Sequence, residues 1–218
     1  AQDHKRMGDG DMGANTGGMG AYAPAPVITK ELDKIVYDTI LLPAVKAMKK
    51  EGCPFKGCLY AGLMITKDGP KVVEFNCRFG DPETEAVLPL LESDLAKIML
   101  ACTKGTLKKE RVEWKNACAV DVVLASEGYP ATHSSGEEIV GLEEAKKTGC
   151  LVFHAGSMKK KGRYFVNGGR VLNVAAVAPT LKEARDKAYE GVSKISWRGM
   201  QYRHDIADKG LKRLKKRK

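Results

Sequence analysis

The sequence has few aromatic residues, no long apolar run and no paired cysteine motif. Aromatics make up 6% of its 218 residues, and no apolar run approaches the length needed to cross a bilayer. No charged segment followed by an apolar segment, as in a signal peptide, opens the chain. No CxxC pair and no zinc-finger histidine accompanies the six cysteines, at positions 53, 58, 77, 102, 118 and 150. We therefore expect reduced thiols in a cytoplasmic protein without a membrane partner.

The basic charge is concentrated at one end of the chain. The formal net charge is +10, and seven positive charges lie in residues 209–218, which contain no acid. A nucleic-acid-binding protein is expected to spread basic residues along a groove, interleaved with aromatics. The charge therefore predicts a solvated tail or a linker, and no nucleic-acid partner.

The stretch from Val72 to Glu83 carries the clearest chemistry. It opens as a strand, which places Glu74 and Asn76 on the same face. A carboxylate and an amide oxygen are hard ligands that suit Mg²⁺, and Arg78 further along could grip a phosphate or carboxylate. The alternative is a solvated strand end with Asp81 as a helix N-cap before Pro82.

A glycine-rich segment occupies residues 1–27. Its run from Gly8 to Tyr22 predicts a loop, in which backbone amides could approach an anion because glycine has no Cβ. No Gly-Lys-Ser/Thr follows, so it is not a Walker loop. A flexible surface loop remains the alternative.

The rest of the first half predicts helices and a hairpin. A helix should start at Thr29, with a kink or break at Pro43, and end at Gly52. Strands over 58–65 and 71–76 should form a hairpin, followed by a helix over 82–91 and another that Ser93 caps and that ends before Gly105.

The polar segment 104–114 predicts a domain boundary. Beyond it, strands are expected over 117–125, 150–155, 163–167 and 170–178, with helices over 142–148 and 180–195. The last helix opens with a capping box, Thr180 and Glu183. The second half should thus be a small α+β domain with several antiparallel strands.

Several motifs together resemble one family. They are DHKR with GDGD, NTGGMGAY, YAGLM, EFNCRFGDPE, and HAGS with GGRVL, in this order. Their order and spacing are similar to those of the glycinamide ribonucleotide synthetase (phosphoribosylamine–glycine ligase) family. The resemblance runs from residue 1 to about residue 202 and excludes the basic tail.

This resemblance implies an α+β fold: the closing portion of an ATP-grasp core over residues 1–106, a mostly antiparallel C-terminal domain over 107–205, and a tail over 206–218. It implies an ATP-dependent ligase of purine biosynthesis that joins glycine to 5-phosphoribosylamine through a glycyl phosphate. ATP and Mg²⁺ or Mn²⁺ would be the cofactors.

The resemblance also assigns roles to residues. Glu74 and Asn76 would bind the metal, and with Arg78 they would bind the cofactor phosphates. Arg78 and Asp81 would be catalytic, Arg78 on the transferring phosphate and Asp81 orienting the amine or glycine. The residues implied in substrate binding are Asp3, Lys5, Gly17, Gly18, Met19, Gly20, Gly169 and Arg170.

The resemblance covers only the second half of the family's length. The ATP-grasp lid and the N-terminal substrate domain should precede residue 1, so the chain alone should turn over little or nothing. It could be a natural piece, half of a split enzyme, or part of a longer chain fused to later purine enzymes. A non-catalytic scaffold and another ATP-grasp enzyme, such as a biotin-dependent carboxylase, remain as alternatives.

Overall fold

The computed structural model describes residues 1–216, which form twelve strands and seven α-helices. In chain order, the strands β1–β12 are Gln2–Asp3, Arg6–Gly8, Met12–Asn15, Gly20–Ala23, Tyr60–Thr66, Gly69–Asn76, Cys118–Ala125, Ser135–Ile139, Leu151–His154, Ser157–Lys160, Arg163–Asn167 and Arg170–Ala178. The helices α1–α7 are Lys30–Val36, Leu42–Lys50, Glu83–Val87, Leu95–Lys104, Leu142–Lys147, Leu181–Val192 and Asp208–Lys215.

The chain divides into two compact units. The larger unit contains Ala1–Ala25, Asp81–Leu90 and the described residues from Lys115 onward; the smaller unit contains Pro26–Gly80 and Leu91–Trp114. This division separates groups of residues that pack mainly among themselves. It does not test the predicted family-domain boundary at residues 106/107, which stays a prediction. The α+β class with antiparallel pairing is confirmed.

A five-stranded antiparallel sheet, in the order β1-β4-β7-β12-β9, is the centre of the larger unit. Its middle strand, β7, is buried from Ala119 to Ala125. Helix α6 packs along β7 and β12, and α3 packs on β4 and β7. Because both faces are covered, the sequence of β7 is almost continuously apolar rather than alternating.

The run Gly8–Tyr22 is not the continuous loop that its glycine content predicted. Residues 1–27 contain β1 to β4, within the run only residues 16–19 between β3 and β4 form a loop, and β4 is fully enclosed between β1 and β7. A Cβ on Gly20 would lie 2.5 Å from the backbone oxygen of Asp121, and its φ is +143°. Glycine is therefore required here for close strand packing. Composition alone does not distinguish such a glycine from one in a flexible loop.

Two further strands and one helix were not predicted. β8 and β10 flank β11 in a separate three-stranded sheet, and their mostly polar sequences, SGEEI and SMKK, give no apolar alternation. The predicted tail instead forms α7, whose Gly210 is buried close to Leu181 and Tyr22. The last two tail residues, 217 and 218, lie outside the described residues.

The smaller unit contains α1, α2, α4 and the β5–β6 hairpin. The kink or break predicted at Pro43 is not a break, because a π-helical turn over Tyr37–Leu41 connects α1 to α2 and Val36, Leu41 and Leu42 keep helical backbone angles. The hairpin is confirmed, with Tyr60 opposite Asn76. Asp94, rather than Ser93, caps α4, since its carboxylate accepts the amides of Ala96 and Lys97.

The six cysteines are free thiols, as expected. Within residues 1–216, no helix has the length and apolarity needed to cross a membrane.

Candidate active site

Arg170 connects the loop of residues 16–19 between β3 and β4, here called the glycine loop, to Asp81 in the larger unit. It is the first residue of β12, and its guanidinium Nη1 lies 3.2 Å from the carbonyl oxygen of Gly17 and 3.5 Å from that of Gly18. The same nitrogen is 3.0 Å from the carbonyl oxygen of Asp81 and 2.9 Å from its Oδ1. One guanidinium thus joins three segments that are distant in sequence, and it remains 22% exposed.

Tyr129 fixes the loop from the other side. Its hydroxyl accepts a hydrogen bond from the amide of Gly17 at 3.0 Å. Gly169 directly precedes β12, and a Cβ on it would lie 2.4 Å from the Tyr129 ring. Only glycine therefore fits between β12 and this ring. Sequence reasoning missed Tyr129, because a tyrosine after a strand has no specific signature.

The amides of the glycine loop are largely engaged within the protein. The Gly17 amide bonds Tyr129, the Gly18 amide bonds Thr16 Oγ1 at 2.9 Å, and the Met19 amide bonds the His4 carbonyl at 2.9 Å. The Met19 side chain is fully buried. In this conformation the loop offers carbonyl oxygens to Arg170, so a role for its amides in binding substrate stays a prediction.

Asp3 and Lys5 lie beside the same loop. The Asp3 side chain is 6% exposed and ion-paired with Lys5. Burial raises the pKa of the Asp3 carboxyl to about 6, and the hydrogen bond and charge of Lys5 oppose that rise. Lys5 Nζ is also 3.4 Å from the Gly17 carbonyl oxygen. The structure therefore brings together Asp3, Lys5, the glycine loop, Asp81 and Arg170.

The alternative role of Asp81 as a helix N-cap is wrong. Pro82 occupies the cap position of α3, and no side chain caps this helix. The Asp81 carboxylate instead pairs with Arg170 and is 51% exposed.

Glu74, Asn76 and Arg78 lie in the smaller unit, on and just after β6. The Asn76 amide Nδ2 donates to Glu74 Oε1 at 2.9 Å, so the two side chains are adjacent on one strand face, as predicted. A half-turn of the amide would present two hard oxygens side by side, which fits Mg²⁺ or Mn²⁺. The Arg78 guanidinium donates to the carbonyl of Phe79 at 2.8 Å and is exposed.

Residues 1–216 contain no cluster of three or more histidine, cysteine or carboxylate side chains able to hold a metal. Two protein oxygens are compatible with Mg²⁺, which keeps several waters and binds substrate phosphates.

Comparisons with known proteins agree with the motifs. The profile "Phosphoribosylglycinamide synthetase, ATP-grasp (A) domain" matches residues 1–84, and the C-domain profile of that enzyme matches residues 119–209. The chain is 52% identical over 217 residues to the chloroplastic phosphoribosylamine–glycine ligase of Arabidopsis thaliana, covering 97% of this chain and 41% of the relative. It is 52% identical to the trifunctional purine biosynthetic protein adenosine-3 of Gallus gallus, of which it covers 21%.

A solved structure supports the same relationship. The phosphoribosylamine–glycine ligase of Thermotoga maritima superposes with a TM-score of 0.80 at 41% identity, covering 94% of this chain and 50% of that protein. The chain spans about half the length or less of these three relatives. More distant ATP-grasp enzymes, including a biotin carboxylase domain at 17% identity and a TM-score of 0.57, share the fold alone. The chain belongs to the phosphoribosylglycinamide synthetase family, with matches to its ATP-grasp (A) domain and its C domain.

Proposed function

We propose that this chain is part of an ATP-dependent ligase of purine biosynthesis that joins glycine to 5-phosphoribosylamine, yielding glycinamide ribonucleotide, ADP and phosphate. The observation that carries the proposal is the contact of Arg170 with the glycine loop and Asp81. It joins three motifs to which the family resemblance assigns roles in one reaction. The names of relatives at about 50% identity support the same activity.

The smaller unit supplies the phosphate-handling side chains. Glu74 and Asn76 are the residues that would hold Mg²⁺ or Mn²⁺. The metal would supply charge neutralisation on the ATP phosphates. Arg78 lies two residues beyond Asn76, and its side chain has to leave the Phe79 carbonyl to bind the transferring phosphoryl group. A guanidinium suits this role, because it presents several donors to a phosphate without losing its charge.

The larger unit supplies substrate orientation. Arg170 holds Asp81 Oδ1, which leaves Oδ2 to accept a hydrogen bond from the amine of glycine or of phosphoribosylamine. Asp3 and Lys5 would line the same pocket, with Gly17 to Gly20 and Gly169 setting its shape. The proposed reaction has two steps. The carboxylate of glycine accepts the γ-phosphoryl group of ATP as ADP leaves, and the amine of phosphoribosylamine then displaces phosphate from the glycyl phosphate.

The complete activity requires more protein than this chain. Relatives of about twice its length carry the ligase name, and one relative is trifunctional. The partner we propose is the remaining half of the family's length, containing the N-terminal substrate domain and the ATP-grasp lid. A cytoplasmic location and fusion to later purine enzymes belong to the same proposal.

The test is ADP release that requires both glycine and phosphoribosylamine, measured with Mg²⁺. The chain alone should be inactive, and the chain joined to the preceding half of a full-length relative should be active. Dependence on another acceptor would support a different ATP-grasp ligase. A properly folded joined protein without activity would support the scaffold alternative.

Two substitutions in the joined protein sharpen this test. Glu74→Ala should lower kcat at least 100-fold, and excess Mn²⁺ should restore part of it. Arg78→Ala should lower kcat with little change in folding. Glu51→Ala, at an exposed position of the smaller unit, is the matched control and should have no effect. Unchanged turnover in Arg78→Ala would remove that residue from the mechanism.

A further inference from the structure

Two of the six free thiols lie close together in the smaller unit. Cys102 is in the last turn of α4, and Cys58 lies two residues before β5. The Cys102 Sγ is 3.9 Å from the carbonyl oxygen of Gly57, which belongs to the peptide unit that leads into Cys58. Both thiols are half-buried, so a small reagent can reach them.

This contact limits the distance between the two cysteines. The bond between Gly57 and Cys58 is not among the cis peptide bonds of the chain, so it is trans. In a trans peptide, the carbonyl oxygen lies about 2.8 Å from the next Cα. The Cys102 sulfur is therefore no more than about 7 Å from the Cys58 Cα, which allows a disulfide after a small displacement of the chain.

A second contact and an electrostatic interaction place the same two segments together. A Cβ on Gly105, just after α4, would lie 3.8 Å from the Lys56 Nζ. Burial raises the pKa of the Cys58 thiol, and a negative charge on Cys102 raises it further. Residues 56–58 therefore lie along the end of α4, with the two thiols near enough to act on each other.

The segment before β5 can move without breaking a strand or a helix. Residues 53–59 lie between α2 and β5 and belong to neither a helix nor a strand. Gly57 has a φ of +144°, in a region that glycine adopts without strain. Cys58 can therefore adjust its position toward Cys102, which is held on a helix.

We propose that Cys58 and Cys102 form a reversible disulfide when the chain meets a small disulfide such as oxidised glutathione. Disulfides in reducing compartments are usually transient and redox-sensing, which fits a pair that is free in this structure. The remaining thiols differ from this pair: Cys53 and Cys77 are exposed, and Cys118 and Cys150 lie in the larger unit.

The exchange has two steps and needs no other reactant. The thiolate of one cysteine attacks the small disulfide, which forms a protein–glutathione bond and releases one glutathione thiolate. The second cysteine then attacks the protein sulfur of that bond, closes the protein disulfide and releases the other glutathione. Two electrons pass from the protein thiols to the small disulfide, and the two protons end on the released glutathione molecules.

The disulfide closes a loop that contains the β5–β6 hairpin with Glu74 and Asn76. A hairpin alone is marginally stable, and a cross-link removes conformational freedom from the unfolded chain. Oxidation should therefore stabilise the smaller unit against unfolding.

The experiment equilibrates the reduced full chain with oxidised and reduced glutathione in varied ratio, blocks free thiols with iodoacetamide and digests with trypsin. Cleavage after basic residues separates the two thiols, because Cys58 falls in peptide 57–67 and Cys102 in peptide 98–104. Mass spectrometry should show these two peptides joined. Their joined form should increase with the share of oxidised glutathione, and dithiothreitol should remove it.

Three variants control this measurement. Cys58→Ser and Cys102→Ser should each abolish the joined peptide and leave the remaining thiol with glutathione alone. Cys53→Ser, at an exposed thiol five residues before Cys58, is the matched control and should leave the joined peptide unchanged.

Thermal unfolding gives a second readout. Oxidation should raise the melting temperature reported by Trp114, in a Trp197→Phe background, by about 5–10 °C. The same treatment of that background carrying Cys102→Ser should leave the melting temperature unchanged.

Three results would overturn the proposal. They are no joined peptide at any glutathione ratio, joining of Cys58 or Cys102 mainly to another cysteine, and addition of glutathione without a protein disulfide. Each is measured on the native sequence, so misfolding of a variant does not obscure it. None of these measurements needs ATP, glycine or the ligase reaction, so their outcome is independent of the proposed function.

Discussion

The two units bury their apolar side chains to very different extents. Of the twenty large apolar side chains exposed among the described residues, fifteen lie in the smaller unit, which is the shorter of the two. Its buried apolar residues are only Val36 and Ala101. The larger unit buries β7, β12 and the faces of α3 and α6 that meet them.

This difference indicates which unit has a core of its own. A two-stranded hairpin such as β5–β6 is marginally stable alone, and Val73 and Phe75 on it are 67% and 43% exposed. Exposed apolar surface of this extent usually marks an interaction surface. The larger unit needs no such partner to bury its central sheet. The proposed metal ligands therefore lie on the unit that buries less of its apolar surface. This is consistent with an active enzyme that contains further residues to cover that surface.

The largest expected effect concerns Arg203 in the larger unit. Its side chain is fully buried, with Nε 2.7 Å from Asp205 Oδ1 and Nη1 3.2 Å from Asp11 Oδ1. Arg203→Met should lower the unfolding free energy by about 3–5 kcal/mol, because it breaks the ion pair of a fully buried guanidinium with Asp205 and leaves Asp11 with Lys209 alone. Arg111→Met in the smaller unit, where the ion pair with Glu113 is exposed, should cost less than about 1 kcal/mol.

Urea unfolding measures both changes. Trp197, 8% exposed, reports on variants of the larger unit in a Trp114→Phe background, and Trp114 reports on variants of the smaller unit in a Trp197→Phe background. Equal losses in the two variants would contradict the contrast between the units.

Leucine truncation is the next largest test. Leu124→Ala removes a fully buried side chain from β7 and should cost about 3 kcal/mol. Leu100→Ala, at a side chain 53% exposed on α4, should cost less than about 1 kcal/mol. The same denaturation measurement checks both. A loss of several kcal/mol in Leu100→Ala would show that the smaller unit has a core that its exposure does not reveal.

The pH dependence of stability tests the buried acid next to the glycine loop. Because burial raises the Asp3 pKa from 3.8 to about 6, the folded state binds more protons than the unfolded state between these values. The Asp3 contribution to stability is thus greatest below pH 4 and declines as pH rises through 6. Asp3→Asn should remove about 2 kcal/mol of that decline.

Unfolding free energies at pH 4, 5 and 7, compared between the native sequence and Asp3→Asn, provide the measurement. Parallel pH profiles would mean that Asp3 has an ordinary pKa and that its pairing with Lys5 offsets the effect of burial.

The smallest expected effect is at the surface of the hairpin. Val73→Thr replaces a side chain that is 67% exposed and should change stability by less than about 0.5 kcal/mol. Val122→Thr, at a fully buried position of β7, is the contrasting variant and should cost at least about 1 kcal/mol because it buries an unpaired hydroxyl. A clear loss in Val73→Thr would show that the hairpin face is already packed.

Local signals predicted most of the secondary structure correctly. Thr180 and Glu183 form the expected capping box, since both depend only on residues three apart. The hairpin and the proximity of Glu74 to Asn76 were also predictable from alternation along a strand. β1 to β4 were missed because their glycine content indicated a loop, and β8, β10 and α7 were missed because polar sequences take these conformations only through pairing and packing.

The sequence predicted which motifs contribute to the candidate site, but not which of their residues contact one another. Tyr129 gave no specific signal, because a tyrosine after a strand has no signature. The contacts of Asp81 also could not be anticipated, because its partner Arg170 is 89 residues away.

The sequence by itself determined the family, the antiparallel α+β class and the residue types available for chemistry, because these follow from motifs and short-range periodicity. Only the tertiary structure decided that the glycine-rich segment Gly20–Ala23 is an enclosed strand and that Arg170 contacts residues 153 positions away. It also decided that Asp121 is a buried acid with no hydrogen-bond partner among residues 1–216. Strand pairing across long sequence separations specifies these features, and its energy resides in contacts that no local pattern encodes.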